Sequence, residues 1–397
     1  MGTRRLYYTD SYLASFRARV VDSGEDGRQV VLDRSAFYPS SGGQPADKGW
    51  IADAEVQDVR EEDGRIVHAV SKPLDAAEVD CAVDWSRRFD HMQQHTGQHL
   101  LSAVLAEMFG VQTVSFHMGP EAATIDLACP ALTTEQLRAA EARVNRVVQE
   151  NRAVGIAFED AADAGELRKA SGRGGTLRIV TIQGLDRSAC GGTHVKATGE
   201  IGVVLLRSTE KVRGNVRLEF LCGQRAVQRA RADYAALDGA ARVFSAGIDE
   251  VLALVRTQAD RLKNSDKVRL RLEEELAGHR GTALYSATNP EENGIRLHIR
   301  LLDGPFPDDL RSEILGFARQ KNAVFVAVCR QPRAALLASS SDSGVHCGTV
   351  LKQMLAGFAG KGGGSAQLAQ GSFEGDPEAV RDRLRELVLA VVEQRGD

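Results

Sequence analysis

Residues 86–110 read SRRFDHMQQHTGQHLLSAVLAEMFG, and this stretch decides the fold of the region around it. Apolar side chains recur there at helical spacing, at Phe89, Met92, Leu100, Val104 and Met108. The pattern predicts a helix that ends at Gly110, because a glycine after the last periodic residue is a common stop signal. His95 and His99 are four residues apart on this helix, so both imidazoles project from one face.

A second motif, CGGTH at residues 190–194, supplies Cys190 and His194. Either motif alone is a weak indication, since paired histidines are often surface residues and a single cysteine is often a small buried apolar residue. Together they offer three imidazoles and one thiolate, which are ligands that zinc prefers. We therefore predict one Zn²⁺ ion on these four side chains. The alternative is a buried polar cluster without metal.

The purpose of such a zinc ion stays open at this stage. Four protein ligands are typical of a closed structural site, whereas a catalytic site keeps one position for water or substrate. These ligands, however, belong to a helix and a glycine loop of a larger domain, which has no evident need of a metal to fold.

The first 85 residues have the character of a small β-barrel. Turn signals at Asp26-Gly27 and Asp63-Gly64 separate strand-like runs, and EVDCAVDW could close the barrel. Between these runs lies the polar loop FYPSSGGQPADKG, residues 37–49. We predict an N-terminal barrel over residues 1–85.

The rest of the chain predicts three further segments, and the whole reads as an α+β multidomain protein. Residues 86–223 mix helices and strands in one α+β domain, with a helix capped by Thr133 and Gln136 and a short helix near residues 161–170. Residues 224–280 are rich in arginine and helical, which indicates a helical hairpin. Residues 281–397 alternate strand and helix and contain GKGGGSAQLAQG at residues 360–371.

The composition excludes several classes of protein. The net charge is −4 and the pI is near 6.2, so any nucleic-acid binding must depend on local basic patches. Six cysteines without a CxxC motif favour a reducing compartment, and we expect the cytoplasm. The sequence has no run of about eighteen apolar residues, so no membrane-spanning segment is expected.

The motifs together resemble the editing domain of alanyl-tRNA synthetase and the free-standing editing proteins of the AlaX family. The resemblance rests on HTGQHLL, on CGGTHV followed by TGEIG and a strand ending in RLEF, and on the barrel loop AFYPSSGGQPADKGWI. GKGGGSAQLAQG resembles the DHHA1 domain, so residues 281–397 are expected to be a DHHA1-like α/β domain and the match is to the long form of AlaX. The sequence departs from the relatives in SSGGQ, where a glutamate and a third glycine are common, and in Ser365.

The resemblance implies hydrolysis of the ester that joins a wrong amino acid to alanine tRNA, chiefly serine and also glycine. A synthetase pocket cannot strongly reject an amino acid that adds a hydroxyl or loses a methyl group, so a second site must remove it. No aminoacylation domain precedes the barrel and the nearest approach to an Asp-His-His cluster is Asp90-His91-Met92, so neither charging of tRNA nor phosphoesterase activity is expected.

Zinc on the four predicted ligands would either activate a water molecule at Cys190 and His194, with His194 as a ligand that could be released, or orient the substrate. In the second case, backbone amides from Gly191 to Thr193 would stabilise the oxyanion. The candidate substrate contacts are Gly42, Gly43, Gln44, Thr96, Thr113, Ser115, His117, Gly191, Gly192 and Thr193. Several have plainer interpretations: a barrel turn for the glycine loop, a local backbone cap for the threonines and a core position for His117.

Basic clusters are candidate contacts to tRNA, although charge runs are usually solvated faces. The candidates are Arg168, Lys169, Arg173 and Arg178; Lys211, Arg213 and Arg217; Arg225, Arg229 and Arg231; and Lys361 with Gly362, Gly363 and Gly364. The expected partner is mischarged tRNA(Ala), and the helical segment allows a homodimer. Two other functions stay open: an RNA-binding protein with structural zinc, and a hydrolase of small aminoacyl esters.

Overall fold

The computed structural model describes residues 2–169 and 174–393. The chain is a mixed α and β multidomain protein, as the sequence predicts, and it divides into two compact units, Met1–Val243 and Phe244–Asp397.

The first unit begins with eight strands, six of which pair in the closed order β2-β3-β7-β6-β5-β8. The short strands β1 and β4 pair with each other in parallel. The alternation of apolar residues along the longer strands fills the interior, where Val30, Leu32, Val56 and Ile66 are fully buried. The strands are β1 Arg4–Arg5, β2 Ser15–Ser23, β3 Gln29–Leu32, β4 Arg34–Ser35, β5 Gly49–Ile51, β6 Ala54–Glu62, β7 Arg65–Val70 and β8 Glu78–Val83.

Helix α1, Trp85–Phe109, follows the last barrel strand directly. The Asp84 side chain accepts a hydrogen bond from the backbone amide of Arg87, which caps the first turn. Gly110 ends the helix in the left-handed conformation, with φ of 66°, as the sequence predicts. Sixteen of its residues, including both histidines of the HTGQH motif, are buried, so this helix is the core element of the unit.

Two sheets and two helices complete the first unit. One sheet has the order β14-β15-β10-β9 and packs on α1, and the other has the order β11-β12-β13. The predicted capping box of Thr133 and Gln136 is confirmed at the start of α2. The elements are β9 Thr113–Met118, β10 Ala123–Leu127, α2 Thr134–Glu150, β11 Val154–Asp160, β12 Thr176–Ile182, β13 Asp186–Ala189, β14 Val204–Val212, β15 Asn215–Cys222 and α3 Gly223–Val243.

The prediction of a short helix near residues 161–170 is wrong, because residues 161–169 form no helix. Residue 170 lies outside the described residues. The Asp160 carboxylate accepts a hydrogen bond from the amide of Ala162 at 3.0 Å, so the chain forms a turn here instead of a helix. Gly165 then adopts φ of 61°, which a right-handed helix does not allow. Local side-chain bonding therefore wins over helix propensity in this segment.

The second unit contains a five-stranded sheet of order β16-β17-β18-β20-β19, in which only β16 and β17 run parallel. The interior strand β17 is fully buried. The long helix α4 continues seven residues past the predicted boundary at residue 280, and α3 belongs to the first unit. The elements are α4 Val251–Ala287, β16 Arg296–Leu302, α5 Leu310–Ala318, β17 Ala323–Cys329, β18 Ala334–Ser339, α6 Cys347–Gly357, β19 Gly360–Gly364, β20 Leu368–Phe373 and α7 Pro377–Glu393.

Candidate metal centre

The four predicted metal ligands meet at one point in the first unit. Helix α1 brings His95 and His99, and the turn after β13 brings Cys190 and His194, so that all four donor atoms lie within 4.8 Å of one another. The Cys190 Sγ lies 3.4 Å from Nε2 of His95 and 3.4 Å from Nε2 of His194. Around a tetrahedral zinc ion, nitrogen and sulfur donors stand about 3.5 Å apart, given the usual zinc–ligand distances. The donor set therefore fits zinc in kind and spacing.

Each histidine of the cluster has its second ring nitrogen held by a neighbouring side chain. Nδ1 of His95 lies 2.8 Å from the Gln44 carbonyl oxygen, and Nδ1 of His99 lies 2.9 Å from the Asp186 carboxylate. Both oxygens can only accept, so both Nδ1 atoms carry the proton. Thr96 donates its own proton to the Met92 carbonyl and accepts from Nδ1 of His194 at 3.2 Å. In their neutral form, all three imidazoles therefore present an unprotonated Nε2 to the centre, as metal ligands require.

The electrostatics of the cluster favour a thiolate. Burial alone would raise the pKa of the Cys190 thiol, but the His95 and His194 imidazoles lower it well below its ordinary value. Burial lowers the pKa of His194 to about 3, so this imidazole is neutral. Burial also acts to lower the pKa of His99, but its bond to Asp186 raises it to about 9. A dication at the centre would oppose that protonation, because a ligating imidazole must be neutral.

The glycines of CGGTH allow the loop to approach the helix. A Cβ on Gly192 would lie 2.2 Å from Cε1 of His95, which is far inside van der Waals contact. The amide of Gly192 points to Cys190 Sγ at 3.4 Å, and the amide of Thr193 donates to the Gln44 carbonyl at 3.2 Å. The Gly192 amide is engaged within the loop and the Thr193 amide by Gln44 of the barrel, so the predicted oxyanion site from Gly191 to Thr193 loses two of its three donors.

A cavity of about 640 Å³ opens onto the cluster. His95, His99 and Cys190 line it, whereas His194 does not. The barrel side contributes the wall residues Arg5, Tyr8, Tyr38, Ser41 and Gly42, strand β9 contributes Thr113, Val114 and Ser115, and the sheet β11-β12-β13 contributes Phe158, Thr176, Arg178 and Ser188. The space suits a ligand the size of a nucleoside with an attached amino acid.

Parts of the chain match two families of tRNA synthetase domains, and most of its length aligns with proteins of known name. Residues 177–219, which contain the CGGTH motif, match the family described as Threonyl and Alanyl tRNA synthetase second additional domain, and residues 14–87 match tRNA synthetases class II (A). The chain is 32% identical over 374 residues to the alanyl-tRNA editing protein Aarsd1 of Mus musculus, covering 91% of this chain and 88% of that protein. It is 31% identical over 405 residues to the alanyl-tRNA editing protein AlaX-L of Pyrococcus horikoshii, covering 95% and 96%.

The chain belongs to the alanyl-tRNA editing protein family.

A third relative is longer than this chain. The chain is 32% identical over 416 residues to the alanine–tRNA ligase of Pyrobaculum neutrophilum, covering 96% of this chain and 44% of the ligase. The resemblance found in the sequence motifs is thereby confirmed for the family.

Some predicted substrate contacts line the cavity and others lie behind it. Gly42, Thr113, Ser115, Gly191 and Gly192 line the cavity. Gln44, Thr96 and Thr193 are at most 1% exposed, and Gln44 also donates to the Thr193 hydroxyl at 2.8 Å. These three residues hold the predicted metal ligands and the CGGTH loop in place, and their polar atoms do not face the cavity that a substrate would enter.

Two remaining predicted contacts have other surroundings. Gly43 adopts φ of 84° and packs against strand β9, where a Cβ would lie 2.4 Å from the Phe116 carbonyl oxygen. His117 is exposed and does not line the cavity, so the interpretation as a core histidine is wrong as well. The strand turns Thr113 and Ser115 toward the cavity and carries His117 beyond it.

The predicted basic contacts in the first unit divide into free and paired residues. Lys169, Lys211 and Arg213 are exposed, and Lys169 lines the cavity. Arg173 lies outside the described residues. Several others pair with carboxylates: Arg168 with Asp186, Arg217 with Asp126, Arg225 with Asp90 and Arg229 with Asp233.

Arg178 is a structural clamp rather than a surface cation. It is 7% exposed and donates to the backbone carbonyls of Tyr8 at 3.0 Å and Cys190 at 2.6 Å. Its guanidinium also lies over the Tyr8 ring, 5.5 Å from the centroid. Arg178 thus ties the N-terminal turn to the backbone of a metal ligand.

The sequence motifs did not reveal the supporting residues of the site. Asp186 bonds His99, Arg168 and Ser188 at once. Arg88, fully buried on α1, pairs with Asp47 of the barrel loop at residues 37–49 and donates to the Ser11 carbonyl. A buried arginine of this kind has no pattern that distinguishes it from a surface arginine, although the polar pair His99 and Asp186 could have been suspected from the need of a ligating imidazole for an acceptor.

Proposed function

We propose that this editing protein is a free-standing deacylase that hydrolyses the ester bond of mischarged tRNA(Ala), chiefly Ser-tRNA(Ala) and also Gly-tRNA(Ala). The observation that carries the proposal is the three-imidazole and one-thiolate cluster at the floor of a cavity. The names of Aarsd1 and AlaX-L as alanyl-tRNA editing proteins support the same activity.

The residues that would hold one Zn²⁺ are His95, His99, Cys190 and His194. When bound, zinc supplies a Lewis acid beside the ester carbonyl. His194 does not line the cavity and is held by Thr96 at 3.2 Å, so it is poorly placed as a ligand that a substrate displaces. His95, His99 and Cys190 face the cavity and are the better candidates for contact with the substrate side.

Selection for serine would fall to the hydroxyls of strand β9. Thr113 donates to Ser102 at 2.6 Å, which leaves its oxygen lone pairs to accept from a seryl hydroxyl. Ser115 donates to Asp126 at 2.7 Å and lines the same wall. Alanine lacks the hydroxyl that would pair with this wall, so Ala-tRNA(Ala) gains less and is spared.

Two other functions remain as alternatives. Four protein ligands are typical of structural zinc, which favours an RNA-binding protein without deacylase activity. The small size of the seryl group favours a hydrolase of simple aminoacyl esters. The first alternative predicts binding without turnover, and the second predicts equal turnover of a seryl ester with or without tRNA.

The deciding experiment measures deacylation of Ser-, Gly- and Ala-tRNA(Ala) and of seryl ethyl ester by the full chain, before and after zinc removal with a chelator. We expect rapid hydrolysis of Ser-tRNA(Ala), slower hydrolysis of Gly-tRNA(Ala), little of Ala-tRNA(Ala) and little of the ethyl ester, all dependent on zinc. Binding of tRNA without any deacylation would refute the proposal in favour of the first alternative.

Partners and location follow as part of the same proposal. The partner is mischarged tRNA(Ala). All six cysteines are free thiols, which supports a reducing compartment and the predicted cytoplasm. Among the described residues, no helix has the length and apolar character needed to cross a membrane. A homodimer stays a prediction, supported by the exposed apolar side chains of α4 at Leu252, Val255 and Leu262.

A further inference from the structure

Two exposed apolar side chains stand at the cavity and have no part in the metal cluster. Phe158 on β11 and Val114 on β9 are each 49% exposed, and both line the cavity. An exposed aromatic ring gains little from the core of its own protein. Apolar surface at a ligand cavity is typical of contact with the ligand.

The position of Phe158 follows from the pairing of the sheet. Strand β11 is an edge strand, and Phe158 lies directly opposite Arg178 of β12 in antiparallel register. Opposed residues of an antiparallel pair share one face of the sheet. The same face carries Thr176 and Ser188, which also line the cavity, so Phe158 extends the wall that begins at the metal cluster.

Positive charge accompanies this apolar surface. Lys169 lines the cavity, and its ammonium group lies 3.3 Å from the Val114 carbonyl oxygen. Lys169 is exposed and forms no ion pair with a carboxylate in the part of the chain that the structure describes. An aromatic ring beside an uncompensated cation is the chemistry that recognises single-stranded nucleic acid, in which bases stack and phosphodiesters are neutralised.

We propose that Phe158 and Val114 form a stacking platform for an unpaired nucleobase at the 3′ end of the RNA substrate, and that Lys169 neutralises the adjoining phosphodiester. This inference rests on the proposed deacylase function and extends it to substrate selection. Phe158 and Val114 belong to the cavity wall and not to the four-residue cluster, so the platform would contribute binding to a base that a small aminoacyl ester lacks.

The test compares the full-chain variants Phe158→Ala and Phe158→Tyr with Trp50→Ala as the matched control. Trp50 is an aromatic residue of the barrel that is 50% exposed and does not line the cavity. Base stacking on an aromatic ring changes affinity by about five- to 150-fold. For Ser-tRNA(Ala) we expect Phe158→Ala to raise KM about ten-fold with little change in kcat. Phe158→Tyr and Trp50→Ala should match the wild type.

A second substrate locates the stacked base. Seryl adenosine, the 3′-linked nucleoside ester, retains the terminal adenine and lacks the preceding nucleotides. If Phe158→Ala raises KM for this ester as well, the platform binds the terminal adenine; if KM rises for the tRNA alone, it binds a base that precedes it. An unchanged KM for both, or a fall in kcat that Phe158→Tyr shares, would overturn the platform.

A binding measurement separates this inference from the proposed function. Fluorescence anisotropy of a short single-stranded RNA ending in CCA needs no hydrolysis. If the wild type binds the RNA but deacylates nothing, the deacylase proposal fails while weaker binding by Phe158→Ala still supports the platform. If the wild type deacylates Ser-tRNA(Ala) and Phe158→Ala binds the RNA as well as the wild type does, the platform fails alone.

Discussion

Two glycine-containing motifs of this chain, CGGTH at residues 190–194 and GKGGG at residues 360–364, have opposite surroundings. In the first, Gly192 lies against the His95 imidazole, and the amides of its loop are bonded to protein groups. In the second, all five residues are exposed on edge strand β19; Gly363 faces open space, whereas a Cβ on Gly360, Gly362 or Gly364 would lie within 2.6 Å of strand β20. Glycine allows the loop to approach a side chain of the buried cluster in the first motif, and it allows an exposed edge strand to pair closely with its neighbour in the second.

The two motifs differ in how strongly their residues depend on one another. CGGTH belongs to an enclosed set of side chains in which ligands and their supports are bonded to each other, so a change to one member affects the rest. GKGGG contributes one charged side chain and a strand edge, which can add binding but cannot organise a reaction. We therefore expect large effects on chemistry from the first motif and small effects on affinity from the second.

The largest expected effect is that of Cys190→Ala. Removal of the thiolate deletes one of four donors, so zinc should be lost and kcat/KM for Ser-tRNA(Ala) should fall on the order of 1,000-fold or more. Zinc content by atomic absorption and the deacylation rate measure both losses. Cys129→Ala, which removes a half-buried thiol outside the cluster, is the control. Full activity of a zinc-free Cys190→Ala protein would show that the CGGTH motif is not needed for the reaction.

A pair of glycine variants tests the comparison most directly. In Gly192→Ala the added methyl would lie 2.2 Å from Cε1 of His95, so the imidazole or the loop must move, and a shift of that size costs about 100-fold in rate. Gly363→Ala adds a methyl group in open space and should change kcat/KM less than about two-fold. Steady-state kinetics on Ser-tRNA(Ala) measure both. Equal effects of the two substitutions would show that the motifs do not differ in the way described.

An intermediate effect is expected when a supporting residue of the first motif changes. Asp186→Asn keeps the shape but removes the charge that accepts from His99 and pairs with Arg168. Loss of such support typically weakens metal binding by about 10- to 100-fold. Competition with a fluorescent zinc chelator gives the affinity. Asp163→Asn, an exposed carboxylate on a nearby turn, should leave the affinity unchanged; an unaltered affinity in Asp186→Asn would mean that His99 needs no such support.

The smallest effect should come from the second motif. Lys361→Ala removes one exposed cation from β19, and a single phosphate contact contributes a few-fold in affinity. We expect KM for Ser-tRNA(Ala) to rise about two- to five-fold at constant kcat and the salt dependence of binding to decrease by about one ion. A drop in kcat would assign the strand a part in the reaction and remove the contrast between the motifs.

The sequence was sufficient to single out the four side chains of the cluster because each pair is set by local geometry and the four residue types suit one metal ion. His95 and His99 are fixed by helical periodicity, and the thiolate and third imidazole come from one short loop. The capping box of Thr133 and Gln136 was predictable for the same reason, since its bonds span three residues.

Residues that support the site depend on contacts between distant segments, and no periodic pattern reports these. Gln44 and His95 are separated by 51 residues, and Asp47 and Arg88 by 41. Gln44, Thr96 and Thr193 were predicted to contact the substrate, but their polar atoms do not face the cavity. Residue type alone does not determine the direction of a side chain. The short helix near residues 161–170 failed because an Asp160 side-chain bond and the φ of Gly165 are decided by the fold around them.

The separation of the ligand pairs has a consequence for biosynthesis. His99 and Cys190 are 91 residues apart in the chain. At the usual speed of a ribosome, about 5–20 residues per second, the helix pair would emerge roughly 5–18 seconds before the thiolate. Until then the nascent chain offers two imidazoles, a weak and unselective chelator. Capture of a metal ion by the four residues would thus be a late event, in which the loop that carries Cys190 and His194 selects an ion that the helix alone would not retain.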